Sequence, residues 1–189
     1  FEGSTIGIKN ELFRQFDINS QVDIYFTTNK LYFTAMRKNF IVFKINYTQS
    51  FFDKIFNEEY KVIYGVERGS NILTCFAVMN ILGSEADILA LGVLKEYQNK
   101  KLGSKLLNKV CEELTNTGVN NVRLIVQTTN ESALRLYNNF DFKIEKVYEN
   151  YYTQFKWNES HAYLMKKSLN KRKFWIFKVF KRITDRIFN

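Results

Sequence analysis

The sequence predicts a single α/β (α+β) domain in which helices flank a mixed, mostly antiparallel central sheet. A length of 189 residues suits one domain with a sizeable core. Strand-like and helix-like periodicities alternate along the chain. Apolar residues make up 46% and charged residues 25%, which is typical of a soluble globular protein. We divide the chain into an N-terminal extension (residues 1–20), a globular domain (residues 21–168) and a C-terminal helix (residues 169–189).

The first half of the domain shows three strand-like segments. Residues 22–26 alternate and are rich in β-formers, which predicts a strand. Thr27, Thr28 and Asn29 are N-cap residue types, and they precede a predicted helix over residues 29–42. Residues 60–67 and 72–79 then predict an antiparallel hairpin.

Residues 87–142 organise the rest of the domain. An apolar run at 88–94 is followed by a polar, basic turn at 95–104 and by a helical stripe formed by Leu102, Leu106, Leu107, Val110 and Leu114. A second apolar run at 122–126 leads into a short helix ending at Tyr137, and residues 142–148 and 161–166 predict the last two strands. A turn that feeds a helix N-terminus offers unpaired N–H groups and a positive dipole end, which suits a phosphorylated ligand.

Two segments of this stretch resemble motifs of the GNAT superfamily of acyltransferases. The turn from Gln98 to Gly103 resembles Gln/Arg-x-x-Gly-x-Gly/Ala, with Lys101 in place of the first glycine. The segment from Asn130 to Phe142 resembles Asn-x-x-Ala-x-x-x-Tyr-x-x-x-Gly-Phe, with Asp141 at the glycine position, and Asp tolerates a positive φ better than most residues. The alternative is an ordinary strand-helix-strand unit without a ligand.

The resemblance implies a GNAT fold with a splayed sheet, acetyl-CoA as co-substrate and no metal. The pantetheine arm would pair with the backbone of the strand that carries Leu91, Gly92 and Val93. The residues expected around the pyrophosphate are Gln98, Lys100, Lys101, Leu102, Gly103 and Ser104. Asn130 would contact the cofactor, and Tyr137 would donate a proton to the leaving thiolate.

A second set of residues resembles the peptide groove of N-terminal acetyltransferase catalytic subunits of the NatE and NatF type. Phe43, Ile45 and Tyr47 match the Phe-Pro-Val/Ile-x-Tyr loop of that subgroup, with Lys44 in place of the proline, and a short aromatic-rich helix follows to residue 56. Tyr151 and Tyr152 match the tyrosines of the opposite wall. The alternative is that Phe43, Ile45 and Tyr47 fill the core, and Phe43 is equally suited to either role.

The subgroup's proton acceptors are a tyrosine and a histidine, and the matching positions here hold Asp87 and Ile125. Isoleucine cannot move a proton, whereas Asp87 is able to do so, directly or through water. Alternatively Tyr151 or Tyr64 orients a water, or the protein is inactive. His161, the only histidine, is expected to have no catalytic role, and Cys75 and Cys111 are expected to be buried free thiols.

The net charge of +9 is concentrated at the C-terminus. Residues 166–189 hold nine basic residues and one acidic residue, which leaves a nearly neutral globular body. The segment from Lys171 to Asn189 has helical periodicity with a basic face and an aromatic-rich apolar face. This pattern favours a peripheral helix on an anionic membrane surface. Docking on the domain or on a protein is the alternative, and nucleic acid is not expected.

The residues and the resemblance together predict an acetyl-CoA-dependent N-terminal acetyltransferase acting on Met-starting peptides. The closest resemblance is to the NatF type, which implies a cytoplasmic protein attached to a cytosol-facing, Golgi-like membrane. Two alternatives stay open. Glu58, Glu59 and Asp87 would suit a small amine such as a polyamine. A CoA-binding pseudoenzyme acting as a membrane adaptor is the non-catalytic alternative.

Overall fold

The structure is a computed structural model, and it describes residues 22–27, 49–57, 59–67, 69, 72–152 and 161–169. The predicted helix over residues 29–42 lies outside the described residues. So do Phe43, Ile45 and Tyr47 of the predicted groove, Glu58, and the C-terminal segment from residue 170 onward.

A seven-stranded mixed sheet forms the centre of the domain, with the strand order β1-β2-β3-β4-β5-β7-β6. Its strands are β1 (Val22–Thr27), β2 (Tyr60–Glu67), β3 (Leu73–Leu82), β4 (Glu85–Val93), β5 (Asn121–Gln127), β6 (Lys143–Tyr148) and β7 (Ala162–Ser168). Only β4 and β5 pair in parallel, and every other neighbouring pair is antiparallel. The predicted mixed, mostly antiparallel sheet is therefore confirmed.

Three α-helices are described: α1 (Gln49–Phe56), α2 (Leu102–Asn116) and α3 (Glu131–Asn139). α2 is the crossover that the parallel pairing of β4 with β5 requires. α1 packs against β2, and its Ile55 is buried. α1 ends at residue 56, as the sequence pattern predicts, whereas α3 continues two residues beyond its predicted end at Tyr137.

The main core lies between α2 and one face of the sheet. The predicted helical stripe is buried there, since Leu102, Leu106, Leu107, Val110 and Leu114 are all at most 5% exposed. Burying each leucine contributes about 2 kcal/mol. Ala86 and Ile88 of β4, with Val122 and Leu124 of β5, supply the opposing side.

The second face of the sheet has its own buried layer. Val62, Tyr64, Phe76 and Val78 are buried, and they alternate along their strands with residues of the main core. This alternation puts them on the face opposite α2. Cys75 is buried in the main core and Cys111 is partly buried beside it, and both thiols are free, as predicted.

Candidate active site

The parallel ladder between β4 and β5 is short. It joins Glu85 through Ile88 to Asn121 through Leu124, whereas β4 continues to Val93 and β5 to Gln127. Beyond Ile88 and Leu124, the described residues contain no further pairing between these two strands. The sheet is therefore splayed between β4 and β5.

A β-bulge lies at the point where the splay begins. On the β3 side, Met79 pairs with Ile88 and Val78 pairs with Ala90, which leaves Leu89 without a register partner. A bulged strand bends and twists more strongly, which separates β4 from β5 as their ladder ends. The segment Leu91-Gly92-Val93 thus presents one edge of its backbone to the gap, and the splay agrees with the one that the family resemblance implies.

Two side-chain hydrogen bonds hold the first part of the turn after β4. A short 3₁₀ helix covers Lys95–Tyr97, and the Gln98 Nε2 atom donates a hydrogen bond to the Val93 carbonyl oxygen at 3.0 Å. The Tyr97 hydroxyl donates to the Glu67 Oε1 atom at 2.7 Å, which ties the turn to the end of β2. The Lys100 ammonium lies 5.3 Å from the centre of the Tyr97 ring.

The N-terminus of α2 is open to an anion. Lys101 is its N-cap residue and makes no side-chain capping hydrogen bond, and the first turn contains no acidic residue. The Lys105 N–H donates to the Lys101 carbonyl oxygen at 3.0 Å, so the N–H groups of residues 102–104 precede the intrahelical bonds. Lys100 and Lys101 are exposed beside this end. These features suit a pyrophosphate.

Backbone conformation explains the glycine preference of the turn motif at one of its two positions. Lys101 has a φ of 59°, in the left-handed region that costs a non-glycine residue roughly 1–2 kcal/mol. Gly103 does not have a positive φ, and a Cβ built on it would lie 3.5 Å from the Leu136 side chain and 3.8 Å from that of Val93. Those are ordinary contacts, so the fold itself does not require glycine at 103.

α3 carries two predicted site residues. Asn130 is its N-cap, and the Asn130 Oδ1 atom accepts hydrogen bonds from the Ala133 N–H at 3.2 Å and from the Ser132 hydroxyl at 3.1 Å. Tyr137 is 7% exposed and packs on the Phe142 ring at 5.7 Å. Asp141 has a φ of 63°, as its position in the motif predicts.

Burial raises the pKa of Tyr137 to about 12, with a smaller contribution from the nearby Tyr152. Burial also raises the pKa of Tyr152 to about 12, and Tyr151 adds to that effect. Both phenols therefore stay protonated at neutral pH. A buried, protonated phenol is a hydrogen-bond donor, and it can stabilise negative charge that develops beside it.

A cluster of tyrosines follows β6. The Tyr151 ring lies 4.9 Å from the Tyr152 ring, edge to face, and 5.7 Å from the Tyr148 ring. The exposed His161 accepts a weak hydrogen bond from the Asn150 N–H at 3.4 Å, which connects the start of β7 to the turn that carries these tyrosines. Of these tyrosines, Tyr152 is near enough to Tyr137 to contribute to raising its pKa. The other predicted groove wall lies outside the described residues.

The predicted base, Asp87, is held by Arg123. The Asp87 Oδ1 and Oδ2 atoms accept hydrogen bonds from the Arg123 Nε atom at 2.8 Å and from its terminal nitrogen Nη2 at 3.3 Å. The Arg123 Nη1 atom also lies 3.4 Å from the Glu85 Oε2 atom. The hydrogen bond to Asp87 is the main cause that raises the pKa of Arg123. Ile125, the next residue on this face of β5, is 37% exposed.

The sequence-based reasoning missed Arg123. Its signal was a single charged residue inside an apolar strand, between the buried Val122 and Leu124. A charge at such a position predicts a partner on a neighbouring strand.

Tyr64, considered above as an orienting residue for water, is 2% exposed on β2.

Among the described residues, no group of three or more His, Cys, Asp or Glu side chains could hold a metal ion. In the same part of the chain, no helix is long and apolar enough to span a membrane.

Comparison with known proteins agrees with this geometry. Residues 29–142 match the family model described as the acetyltransferase (GNAT) family. The chain is 29% identical over 136 residues to N-alpha-acetyltransferase 50 of Danio rerio, an alignment covering 70% of this chain and 80% of that protein. It is 31% identical over 80 residues to the ribosomal protein bS18-alanine N-acetyltransferase of Escherichia coli K12, covering 42% of this chain and about half (54%) of the relative.

Among solved structures, the fold is similar to Arabidopsis thaliana NAA60 in complex with a bisubstrate analogue. The TM-score is 0.67 at 22% sequence identity, and the superposition covers 78% of this chain and 99% of the plant protein. At this identity the likeness establishes the fold.

Proposed function

We propose a substrate class for this chain, which belongs to the GNAT family of acetyltransferases and is an acetyl-CoA-dependent N-acetyltransferase. Its acceptor is the α-amino group of protein N-termini. The observation that carries the co-substrate site is the gap between β4 and β5, together with the N-terminus of α2, which has no side-chain cap. Two relatives, named as an N-alpha-acetyltransferase and as an alanine N-acetyltransferase, support the acceptor class.

The co-substrate would lie along this gap. The N–H groups at the start of α2 and the ammonium groups of Lys100 and Lys101 would hold the pyrophosphate. The exposed backbone edge of Leu91, Gly92 and Val93 would pair with the pantetheine arm, and an N–H there would polarise the thioester carbonyl. The Asn130 oxygen already caps α3, so its amide NH₂ is the group left to reach the cofactor.

The reaction moves one acetyl group and one proton. The neutral amine attacks the thioester carbon, so that an N–C bond forms and the C–S bond breaks. A base takes one proton from the attacking nitrogen and releases it to solvent. The departing sulfur gains one proton. Tyr137 donates a hydrogen bond to that sulfur, and the thiolate takes its proton from solvent.

The acceptor class makes a modest base sufficient. An α-amino group has a pKa of about 7.7–8.0, compared with about 10.4 for a lysine side chain. About a tenth of α-amines are therefore neutral at pH 7. We propose Asp87 as the proton acceptor for the α-amines that bind in the protonated form. A lysine side chain would require a base that competes with a far more basic amine.

We further propose a preference for N-termini that begin with methionine. The support is the resemblance of Phe43, Ile45 and Tyr47, with Tyr151 and Tyr152, to the groove of the NatE and NatF type. Aromatic and branched side chains on both walls would bury an unbranched, polarisable methionine side chain.

A peptide panel tests this preference. Peptides starting with Met-Leu, Met-Lys, Ser and Ala are incubated with acetyl-CoA, and the release of free CoA is followed. The proposal predicts the highest kcat/KM for the two Met-starting peptides. Equal or greater values for the Ser- and Ala-starting peptides would contradict the methionine preference and leave the α-amine proposal standing.

Spermidine in the same panel separates the main alternative. Turnover of spermidine without turnover of any peptide would indicate a small-amine acetyltransferase, to which the exposed Glu59 and the carboxylate of Asp87 would then contribute. A rise in melting temperature with acetyl-CoA and no turnover of any amine would indicate the pseudoenzyme.

We also propose that residues 171–189 attach the enzyme to an anionic, cytosol-facing membrane, of the Golgi-like kind expected for a NatF-like protein. This segment combines seven basic residues and one acidic residue with an apolar set containing Trp175, Phe177 and Phe180. Each basic side chain near an anionic surface contributes about 1 kcal/mol, and the apolar face adds burial in the interface.

A further inference from the structure

We infer that Arg123 is a positioning residue, which fixes the carboxylate of Asp87 as acceptor of the proton that leaves the substrate amine. The inference rests on the proposed function. Asp87 and Arg123 lie opposite each other in the parallel ladder, directly before its last pair, Ile88 and Leu124. The pair therefore lies at the inner end of the splay.

Both side chains are on the face of the sheet opposite α2. Their chain neighbours Ala86, Ile88, Val122 and Leu124 are buried in the α2 core, and successive strand residues point to opposite faces. Asp87 is 29% and Arg123 is 30% exposed, so both are accessible to a ligand that enters from this side. The acceptor amine and the pyrophosphate can then approach the gap from different directions.

The geometry fixes the carboxylate while leaving it able to accept a proton. Arg123 binds both oxygens, and such two-point contacts set the plane of a carboxylate. An ionised carboxylate has about four acceptor positions, and Arg123 occupies two of them. The other positions are available to an ammonium group or to a water that relays its proton.

Further charged side chains lie beside the pair. Arg123 also contacts Glu85, and the Lys166 ammonium lies 3.8 Å from Glu85 and 3.6 Å from Glu145. These side chains form a row across β4, β5, β7 and β6, which Lys143 extends as the register partner of Lys166. The row holds three carboxylates and three cations, so a direct contact with the Asp87 carboxylate, and not a net negative charge, would attract an ammonium group.

Stability alone does not explain the pair. A partly exposed ion pair typically contributes only about 0–1 kcal/mol to folding. Within the described part of β4, Asp87 is the carboxylate nearer to the splay, whereas Glu85 lies at the start of the strand. The Arg123 guanidinium donates two hydrogen bonds to Asp87 and makes only one longer contact with Glu85. This is the geometry of a group that positions Asp87.

A double-mutant cycle tests the inference. We would measure kcat and kcat/KM between about pH 6 and 9 for the wild type, Arg123→Gln, Asp87→Asn and the double variant, using whichever amine the wild type accepts. Arg123→Gln should lower kcat about 10-fold or more and leave the KM for acetyl-CoA within about twofold.

Two outcomes of the double-mutant cycle would overturn the inference. In the Asp87→Asn background, Arg123→Gln should cause no further loss, whereas an equal fold loss in both backgrounds would show that Arg123 acts independently of Asp87 and would overturn the inference. An unchanged kcat in either single variant would overturn it too. If Arg123→Gln does not fold, Arg123→Lys replaces it, because lysine keeps the positive charge without the two-point contact with Asp87. The inference predicts a smaller loss of kcat for Arg123→Lys, and no further loss when Asp87→Asn is already present.

Arg135→Gln is the matched control, because it removes the exposed Arg135–Glu131 pair on α3 and should leave kcat and the pH profile unchanged. Turnover of spermidine alone would contradict the proposed acceptor class while the cycle still decides the role of Arg123. Wild-type silence toward every amine would contradict both.

Discussion

At the scale of single residues, the chemistry depends on what surrounds each ionisable group. Tyr137 is almost fully buried, and burial raises its pKa to about 12. The phenol therefore keeps its proton over the whole range in which an α-amine changes charge. It acts as a hydrogen-bond donor to the sulfur, whose proton affinity is lower than that of the Tyr137 phenolate.

Tyr137→Phe should reduce kcat about 10²-fold or more, because the sulfur then leaves without a hydrogen-bond donor. The KM for acetyl-CoA should change little, and Tyr163→Phe on β7 is the control for loss of a tyrosine hydroxyl. In the wild type, kcat should show no loss from ionisation of Tyr137 up to about pH 10, since the protonated form persists below its pKa of about 12. Unchanged turnover by Tyr137→Phe would remove Tyr137 from the mechanism.

Single residues are also where sequence-based reasoning was least complete. Asp87 was identified because it occupies the position of a known base, but its partner Arg123 was not. The partner is 36 residues away along the chain and becomes adjacent only through the parallel pairing of β4 with β5. Local patterns do not contain that register, so no motif pointed to the pair.

At the scale of secondary-structure elements, the N-terminus of α2 connects fold and function. A helical glycine costs about 0.5–1 kcal/mol relative to alanine, and Gly103 has ordinary van der Waals space for a Cβ. The fold would therefore gain from alanine at this position. The proposal explains glycine by the close approach of the pyrophosphate to the helix backbone.

Gly103→Ala should consequently have opposite effects on stability and binding. The free energy of unfolding should rise by about 0.5–1 kcal/mol, whereas the KM for acetyl-CoA should increase severalfold. Gly118→Ala is the matched control, because Gly118 has a φ of 91° after the end of α2, so that variant should lose stability and keep its KM. An unchanged KM in Gly103→Ala would indicate that the cofactor does not approach this turn.

The C-terminal segment makes a separate prediction. A chain lacking residues 171–189 should no longer sediment with vesicles of phosphatidylcholine and phosphatidylserine, while its turnover of a soluble peptide stays within about twofold. Pure phosphatidylcholine vesicles are the control, because the electrostatic contribution depends on anionic lipid. Full retention on anionic vesicles would reject the membrane role of this segment.

Most elements of the described domain were predictable from local sequence patterns. The stripe of α2 recurs at helical spacing, and two runs of β-forming residues on either side of Gly69 indicated the β2–β3 hairpin. The bulge at Leu89 was not predictable, because Ile88, Leu89 and Ala90 form one unbroken apolar run. Nothing in such a run indicates where the alternation shifts.

At the scale of the whole molecule, buried acidic groups set the response to alkaline pH. Burial raises the pKa of Cys75 from 9.0 to about 12 and that of Cys111 to about 11. Because the folded-state values lie above the unfolded ones, these thiols stabilise the fold fully below about pH 9, and that stability is lost as the pH rises toward 12. Tyr137 and Tyr152 act in the same direction above about pH 10.

The free energy of unfolding should therefore fall between pH 9 and pH 11, which urea titrations at several pH values would measure. Cys75 alone corresponds to at most about 4 kcal/mol once the pH passes its folded-state pKa. The double variant Cys75→Ala, Cys111→Ala is less stable at pH 8, but its stability should decline less steeply as the pH rises. An equally steep decline in both proteins would show that the thiols do not cause it.

The GNAT assignment at this scale was available from sequence because the turn and the α3 motif keep their order and spacing around one strand-helix-strand unit. The part of the site that binds the amine was harder to predict from the sequence, because its residues come from separated segments of the chain. The sheet makes Asp87 and Arg123 neighbours only through the parallel pairing of β4 with β5, and it places the end of β6 beside the end of β5 only through β7.

The most direct test of the central claim compares two peptides of the same sequence, each containing one lysine. One has a free N-terminus beginning with Met-Leu, and the other has its N-terminus blocked by acetylation. With acetyl-CoA at pH 7.5, we predict CoA release and one added acetyl group only for the free peptide, with the modification on its α-nitrogen by mass spectrometry. Acetylation of the lysine in the blocked peptide at a comparable rate, or no reaction with the free peptide, would contradict the assignment of this enzyme as an N-terminal acetyltransferase.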